Sequence, residues 1–415
     1  MPPDPAPPSQ PRNVHVFGAT SFLNDTASEM AYWILPAFLT SLGAGPAALG
    51  IIEGIAESVA SFAKLFSGFW TDRVRRRKPL VVAGYVVANV VKPLLAVATS
   101  ATHVLGVRFL DRLAKGVRGA PRDVLLADSV PPERVGAAFG LLQAMDSAGA
   151  IAGPLIALAI MASAWGHAWG PRAVFVAAGV PGLLCILVVW FGLRETPRAT
   201  AATDARRKLF ANPRDLPASF YFVMAAISLF SLGNSSDMFL VLRAQNLGIK
   251  PVFAPLLGLV FNVTYTLGSW PAGKLSDYAA SHADGGVLRS RYGIAGAGLM
   301  IFAGVYWVFA MEPSRAAIFA AMACYGLYYA LTQPVLRAVV VDTVPRELRG
   351  GAFGIFYFVT SVMALVASAA TGALWKLFGA RVPFMVSAAL ALAGALMLMM
   401  TPVLFKRKDA VEGTE

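Results

Sequence analysis

Gly68-Phe-Trp-Thr-Asp72-Arg73-Val-Arg75-Arg76-Arg77-Lys78 separates two apolar runs, at about 46–70 and 79–99. A helix needs roughly 20 apolar residues to cross a bilayer, so each run is long enough to span one. Lys and Arg are retained in loops on the cytoplasmic side. The segment therefore predicts two transmembrane helices joined by a cytoplasmic loop.

The pattern continues in both directions. Further apolar runs fall at about 14–41, 102–127, 136–164 and 171–193. After a polar stretch they resume at about 218–242, 250–272, 292–311, 315–341, 351–375 and 381–405. Of the 415 residues 57% are hydrophobic and 14% charged, with a mean hydropathy of +0.63. A soluble domain carries about 25% charged residues, so lipid is the expected solvent. The expected fold class is all-α integral membrane, with twelve transmembrane helices in two pseudo-symmetric six-helix bundles.

The net charge of +12 sits in short loops rather than on one amphipathic face, so no nucleic acid is expected as a partner. Dense cations occupy alternate gaps: Arg73 to Lys78, the 194–217 stretch, Lys274 with Arg289 and Arg291, then Arg346 with Arg349, then Lys406 to Lys408. Both termini are therefore predicted cytoplasmic, in a bacterial inner membrane. Residues 1–13 are Pro-rich and polar, lack a signal-peptide pattern, and predict a disordered tail. Residues 194–217 predict a linker between six-helix halves at 14–193 and 218–405, and 406–415 a second tail.

An internal repeat supports the two halves. Gly43, Pro46, Gly68 and Asp72 recur as Gly248, Pro251, Gly273 and Asp277, each pair 205 residues apart. Asp128-Ser-Val-Pro131-Pro-Glu133, leading to Gly136-Ala-Ala-Phe139-Gly140, recurs 214 residues on as Asp342-Thr-Val-Pro345-Arg-Glu347, leading to Gly350-Gly-Ala-Phe353-Gly354. Parallel repeats of six helices are one known plan of membrane carriers.

Over residues 14–405 these features resemble the major facilitator superfamily. Gly68 to Lys78 resembles its loop between the second and third helices. Arg112-Leu-Ala-Lys115-Gly116 resembles its fourth-helix signature, and Gly149-Ala-Ile-Ala-Gly153-Pro154 the fifth-helix motif it associates with antiporters. The chain departs at Arg75, where the family has a second Gly, at Lys115, where Gln is common, and at Ala157-Leu158, where a Gly pair is usual. The likeness thus implies the superfamily rather than a drug exporter. It implies a secondary transporter of a small solute working by alternating access, with the first and fourth helices of each half lining the cavity. Gly68, Asp72, Arg73, Gly149, Gly153, Pro154, Gly273 and Asp277 are the expected gating residues. Gly68 lets helix ends approach, and Asp72 can meet a cation or a positive helix end in one conformation only. The plainer reading is a loop that only sets topology.

An ionisable side chain at mid-bilayer costs roughly 2.5–3.5 kcal/mol, so each is a functional hypothesis. Ser21, Asp25, Ser28 and Tyr32 share one face of the first helix, with Glu29 one turn from Asp25. Glu53 and Glu57 are spaced i, i+4 on the second. Two close carboxylates in a low dielectric do not readily both ionise, which suits a proton carrier. Asp25, Glu29, Glu53 and Glu57 are the proton-coupling candidates. Arg108, Arg112, Lys115, Arg118 and Arg122, with Asp111, form a polar stripe on the fourth helix that must face protein or water. Asp25 or Glu29 is expected to pair with Arg112, and Glu53 or Glu57 with Arg108 or Lys115. A static ion-pair network is the competing reading. Lys64 and Arg122 are expected to snorkel, and Lys92 and Asp146 to be structural partners of other helices.

The second half carries milder groups: Asn234, Asp237, Asn262, Tyr265, Tyr325, Tyr328, Tyr329, Thr332 and Gln333. With Tyr32, Arg108, Arg112 and Lys115 they are the substrate candidates; packing or an interfacial belt is the alternative for the tyrosines. Cys185 and Cys324 lie in apolar runs, the four histidines lie near helix ends, and no spacing suits a metal. No phosphate-binding Gly loop with a Lys-Ser/Thr pair is present, so no cofactor, ATP drive or enzymatic activity is expected. The expected partners are a small solute, protons and the lipid bilayer, and the expected state is a monomer. Two alternatives stand beside the proton-coupled carrier, export by antiport being favoured: a transporter of an organic anion, import included, and a non-transporting sensor.

Overall fold

The computed structural model describes residues 11–71, 76–131, 134–196, 216–281, 291–344 and 349–412, and every element among them is a helix. The first span is divided into α1 (Pro11–Tyr32) and α2 (Leu35–Ser41). Pro36, in the first turn of α2, has no amide hydrogen to continue the ladder of α1. Next come α3 (Pro46–Thr71) and α4 (Lys78–Val91), which tightens into a 3-10 segment at Lys92–Val97. Then follow α5 (Ala101–Ala127), α6 (Val135–Ala162), the short α7 (Ala164–Trp169) and α8 (Pro171–Gly192). The second half holds α9 (Ala218–Gly233), α10 (Met238–Asn246), α11 (Ala254–Ser281), α12 (Arg291–Ala310), α13 (Arg315–Asp342), α14 (Arg349–Phe378) and α15 (Arg381–Glu412). With α1–α2 and α9–α10 each counted as one divided span, these elements account for the twelve expected crossings.

Among the described residues, ten of the spans are apolar enough, by length and composition, to cross a membrane. The two that fall short are α1–α2 and α5, the spans with Asp25, Glu29 and the cation stripe. Their polarity is tolerable only where other helices or water face them.

The chain divides into two units, Met1–Leu42 with Ile55–Arg206, and Gly43–Gly54 with Arg207–Glu415. Within the first, α1 packs on α6 and α8, and α4 on α5 and α8. Within the second, α9 packs on α14 and α15, and α12 on α13 and α15. The same partnerships therefore recur in the same order. So do the turns: Gly43 and Gly248 both adopt left-handed backbone, at φ 76° and 91°, ahead of Pro46 and Pro251. That conformation is open to Gly at no steric cost.

Three details bear on the expected boundaries. The tail at 1–13 gives way to helix at Pro11, because buried Asn13 donates to Ser129 Oγ (2.9 Å) and the Arg194 carbonyl (3.0 Å). The tail at 406–415 is helical to Glu412. Residues Gly43–Gly54, expected in the first half, group with the second unit. Most of the expected linker lies outside the described residues.

Candidate functional site

The polar stripe of α5 finds its partners on α3, α4 and the segment that follows α4. Arg112 Nη2 lies 3.3 Å from Glu57 Oε1, and the Glu57 side chain is 43% exposed. Lys92, buried at the 3-10 turn, lies 3.5 Å from Asp111 Oδ1 and donates to Asn89 Oδ1 (3.3 Å) and Asn24 Oδ1 (3.5 Å). Arg108 stands 4.0 Å from the other Asp111 oxygen, its guanidinium 5.6 Å from the centre of the Tyr32 ring. Arg118 lies over the Tyr85 ring at 4.2 Å and donates to the Gly84 carbonyl. A buried cation needs a compensating partner: carboxylates serve Lys92, Arg108 and Arg112, and a ring face and a carbonyl serve Arg118.

Helix α1 brings its acids to the same region. Asp25 accepts from Asn24 Nδ2 at 3.0 Å, and Glu29 from Trp33 Nε1, one turn on, at 2.7 Å. Two glycines of α6 set the approach of α1. A Cβ on Gly149 would lie 2.6 Å from the Phe22 carbonyl and 3.1 Å from Asp25 Cβ; one on Gly153 would lie 2.7 Å from Glu29 Cβ. Pro154 follows inside α6. The motif is thus a notch in which α1 lies at the level of its two acids.

Two adjoining cavities open within this unit. One, of about 250 Å³, is lined by Ser21, Asp25, Lys115, Arg122 and Asp146 among others. A smaller one, of about 70 Å³, is lined by Glu29, Tyr32, Lys92, Arg108, Asp111 and Arg112, and shares Asp25 and Lys115 with the first. Arg122, expected to snorkel, instead donates to Asp123 at 2.9 Å on the cavity wall.

In the second unit, Glu53 is fully buried and accepts from Ser236 Oγ at 3.3 Å, in the break between α9 and α10. The expected acid pair of α3 is therefore shared between unlike partners, a hydroxyl for Glu53 and a guanidinium for Glu57. One step further, Asp237 accepts from Tyr325 OH (2.7 Å) and from Tyr329 OH (3.2 and 3.1 Å to its two oxygens). Tyr325 and Tyr328 are fully buried in an aromatic core with Phe230, Phe302 and Tyr306. Asn234 and Tyr265 are half-buried, Asn262 is buried and Gln333 exposed.

Of the gating residues, Asp72 and Arg73 lie outside the described residues; Gly68, Gly273 and Asp277 fall within α3 and α11. The repeated Asp128 meets Arg77, the penultimate cation of the basic loop, at 2.6 Å. Sequence reasoning missed Asn24, which lines the larger cavity, and Asn89, which joins the Lys92 network; it took Lys92 and Asp146 for structural partners, and the structure places both on cavity walls. The available signal was a Lys and an Asn inside an otherwise apolar run. Among the described residues no group of three or more His, Cys or carboxylate side chains is placed to hold a metal.

The family model described as Major Facilitator Superfamily matches residues 17–282 and 221–414. An uncharacterized MFS-type transporter of Methanocaldococcus jannaschii is 30% identical over 394 residues, covering 94% of each chain. Multidrug resistance protein MdtG of Salmonella paratyphi C is 27% identical over 277 residues, covering 65% of this chain and 64% of the relative. Among solved structures, a bacterial homolog of the human lysosomal transporter Spinster, inward-facing and unoccupied, superposes with a TM-score of 0.75 at 15% identity, covering 96% of this chain and 98% of that one. Twelve spans, a twofold internal repeat and a family match along nearly the whole length lead to one conclusion: the chain belongs to the Major Facilitator Superfamily and is a multi-pass membrane transporter.

Proposed function

We propose that the chain is a proton-coupled secondary transporter moving a small solute across the bacterial inner membrane by alternating access, both termini being cytoplasmic. The observation that carries this reading is the Arg112–Glu57 pair at 3.3 Å, with Glu57 nearly half exposed. A carboxylate that is both paired and open to water can exchange a proton, and protonation frees its cation. Proton binding then favours whichever conformation does not need the pair, which is how a ligand shifts a two-state equilibrium. Asp25 and Glu29 extend the titratable path along the cavities, and Glu53 is its candidate in the second unit. In the first unit Tyr32, Arg108, Arg112 and Lys115 offer polar contacts to a solute. In the second Asn234, Asp237, Asn262, Tyr265, Tyr329 and Gln333 do so, with buried Tyr325 holding Asp237 through its hydroxyl. Gly68, Asp72, Arg73, Gly273 and Asp277 act in gating, while Gly149, Gly153 and Pro154 seat α6 against α1.

Export by antiport is favoured. MdtG is named a multidrug resistance protein, and a relative from Streptococcus pneumoniae, 23% identical, is named an efflux pump. A second reading, exchange of an organic anion, draws support from the smaller cavity, where Lys92, Arg108, Arg112 and Lys115 outnumber Asp25, Glu29 and Asp111.

Purified protein in liposomes, screened for solute-dependent proton flux under an imposed pH gradient, tests both. Proton flux lost in Glu57→Gln supports the first reading. Flux absent with every solute class defeats it, and pH-insensitive anion transport lost in Arg112→Ala establishes the second.

A further inference from the structure

Asp237 occupies the break between α9 and α10, inside the 218–246 membrane span. A carboxylate at that depth is costly and is kept for a task. Two phenol hydroxyls, from Tyr325 and Tyr329, donate to it. An O–H donor orients a carboxylate without cancelling its charge. The Tyr329 ring stands edge-on to Phe261 (5.0 Å, 86°) and to Tyr265 (5.8 Å, 76°), while Phe261 and Tyr265 stack at 6.1 Å. Asp237, Tyr265 and Tyr329 are each half-buried, so part of each side chain remains exposed. On the same break, Asn234 Oδ1 is buried with no hydrogen-bond partner.

These groups share one preference. A carboxylate attracts positive charge, aromatic faces attract cations and repel anions, and an unfilled amide oxygen calls for an N–H donor. We infer that this cluster binds a protonated amine. The charged nitrogen meets Asp237 and the faces of Tyr265 and Tyr329, and an N–H group satisfies Asn234 Oδ1. The inference rests on the reading of the chain as a carrier of small solutes and names their chemical class. It also explains why the acid sits at a helix break, where the backbone leaves room for a ligand between two helix ends.

The full-length protein in detergent tests this by calorimetric titration with 2-phenylethylammonium, its neutral counterpart 2-phenylethanol, and phenylacetate. The amine is expected to bind about tenfold or more tightly than the other two. Asp237→Asn is expected to weaken amine binding about tenfold, and Tyr265→Leu several-fold, with unfolding temperatures close to that of the parent. Absence of amine binding, equal binding of the alcohol or the acid, or unchanged affinity in both folded variants overturns the inference. The titration needs no proton gradient. Amine binding without proton flux in liposomes leaves the site standing and defeats proton coupling, whereas proton-driven transport of another solute without amine binding does the reverse.

Discussion

Glu57 Oε1 and Arg112 Nη2 stand 3.3 Å apart, tying the middle of α3 to the middle of α5. Glu57→Gln keeps the shape of the side chain and removes its charge. It is expected to lower proton-driven uptake into liposomes about tenfold or more, a loss of at least ~1.4 kcal/mol, while solute exchange without a gradient persists. Combining it with Arg112→Gln should add much less than the sum of the single effects, as for any pair in direct contact.

Lys92 and Asp111 form a different kind of pair, with side chains only 5% and 12% exposed. Lys92→Met leaves buried Asp111 to Arg108 at 4.0 Å and is expected to destabilise the protein by about 1–3 kcal/mol, measured as thermal unfolding in detergent. Adding Asp111→Leu should recover little, because the buried guanidinium of Arg108 then loses this carboxylate.

The α6 notch predicts opposite outcomes for two glycine substitutions on one helix. Gly153→Ala places a Cβ 2.7 Å from that of Glu29 and 2.8 Å from the Thr26 carbonyl. It should cost about 1–3 kcal/mol and reduce transport. Gly140→Ala, with nothing within 4 Å of the new carbon, should raise the unfolding temperature, by the equivalent of about 0.5–1 kcal/mol.

Glu195 caps α4 by accepting from the backbone amides of Arg77 and Lys78, both at 3.0 Å. Glu195→Ala should cost about 0.5–2 kcal/mol of stability without a change in substrate affinity, read from unfolding and transport on the same preparation.

The fold was legible because its evidence is periodic along the chain. Apolar runs of membrane length and two motif blocks at nearly one spacing need no knowledge of neighbours. The breaks were less visible: hydropathy runs on through Trp33–Ile34, where Pro36 was the one local sign, and the polar Asn234-Ser-Ser-Asp237 at the second reads as solute-facing groups on one continuous helix. Partners were the hardest part. Glu53 and Glu57 are one helical turn apart, yet that shift along α3 presents one to Ser236 and the other to Arg112. Lys92 could be seen as an isolated cation in an apolar run, but its junction with Asp111, Asn24 and Asn89 exists only once α1, α4 and α5 pack.

The stripe on α5 bears on how the protein is made. Alone, a helix carrying Arg108, Arg112, Lys115, Arg118 and Arg122 partitions poorly into lipid. Beyond its own Asp111 and Asp123, its described partners Glu57, Gly84, Tyr85 and Lys92 precede it in the chain. During synthesis they are already in the bilayer when α5 leaves the ribosome. The order of the helices is thus a folding instruction, and a circular permutant that begins at α5 would have to insert its most polar span with nothing there to receive it.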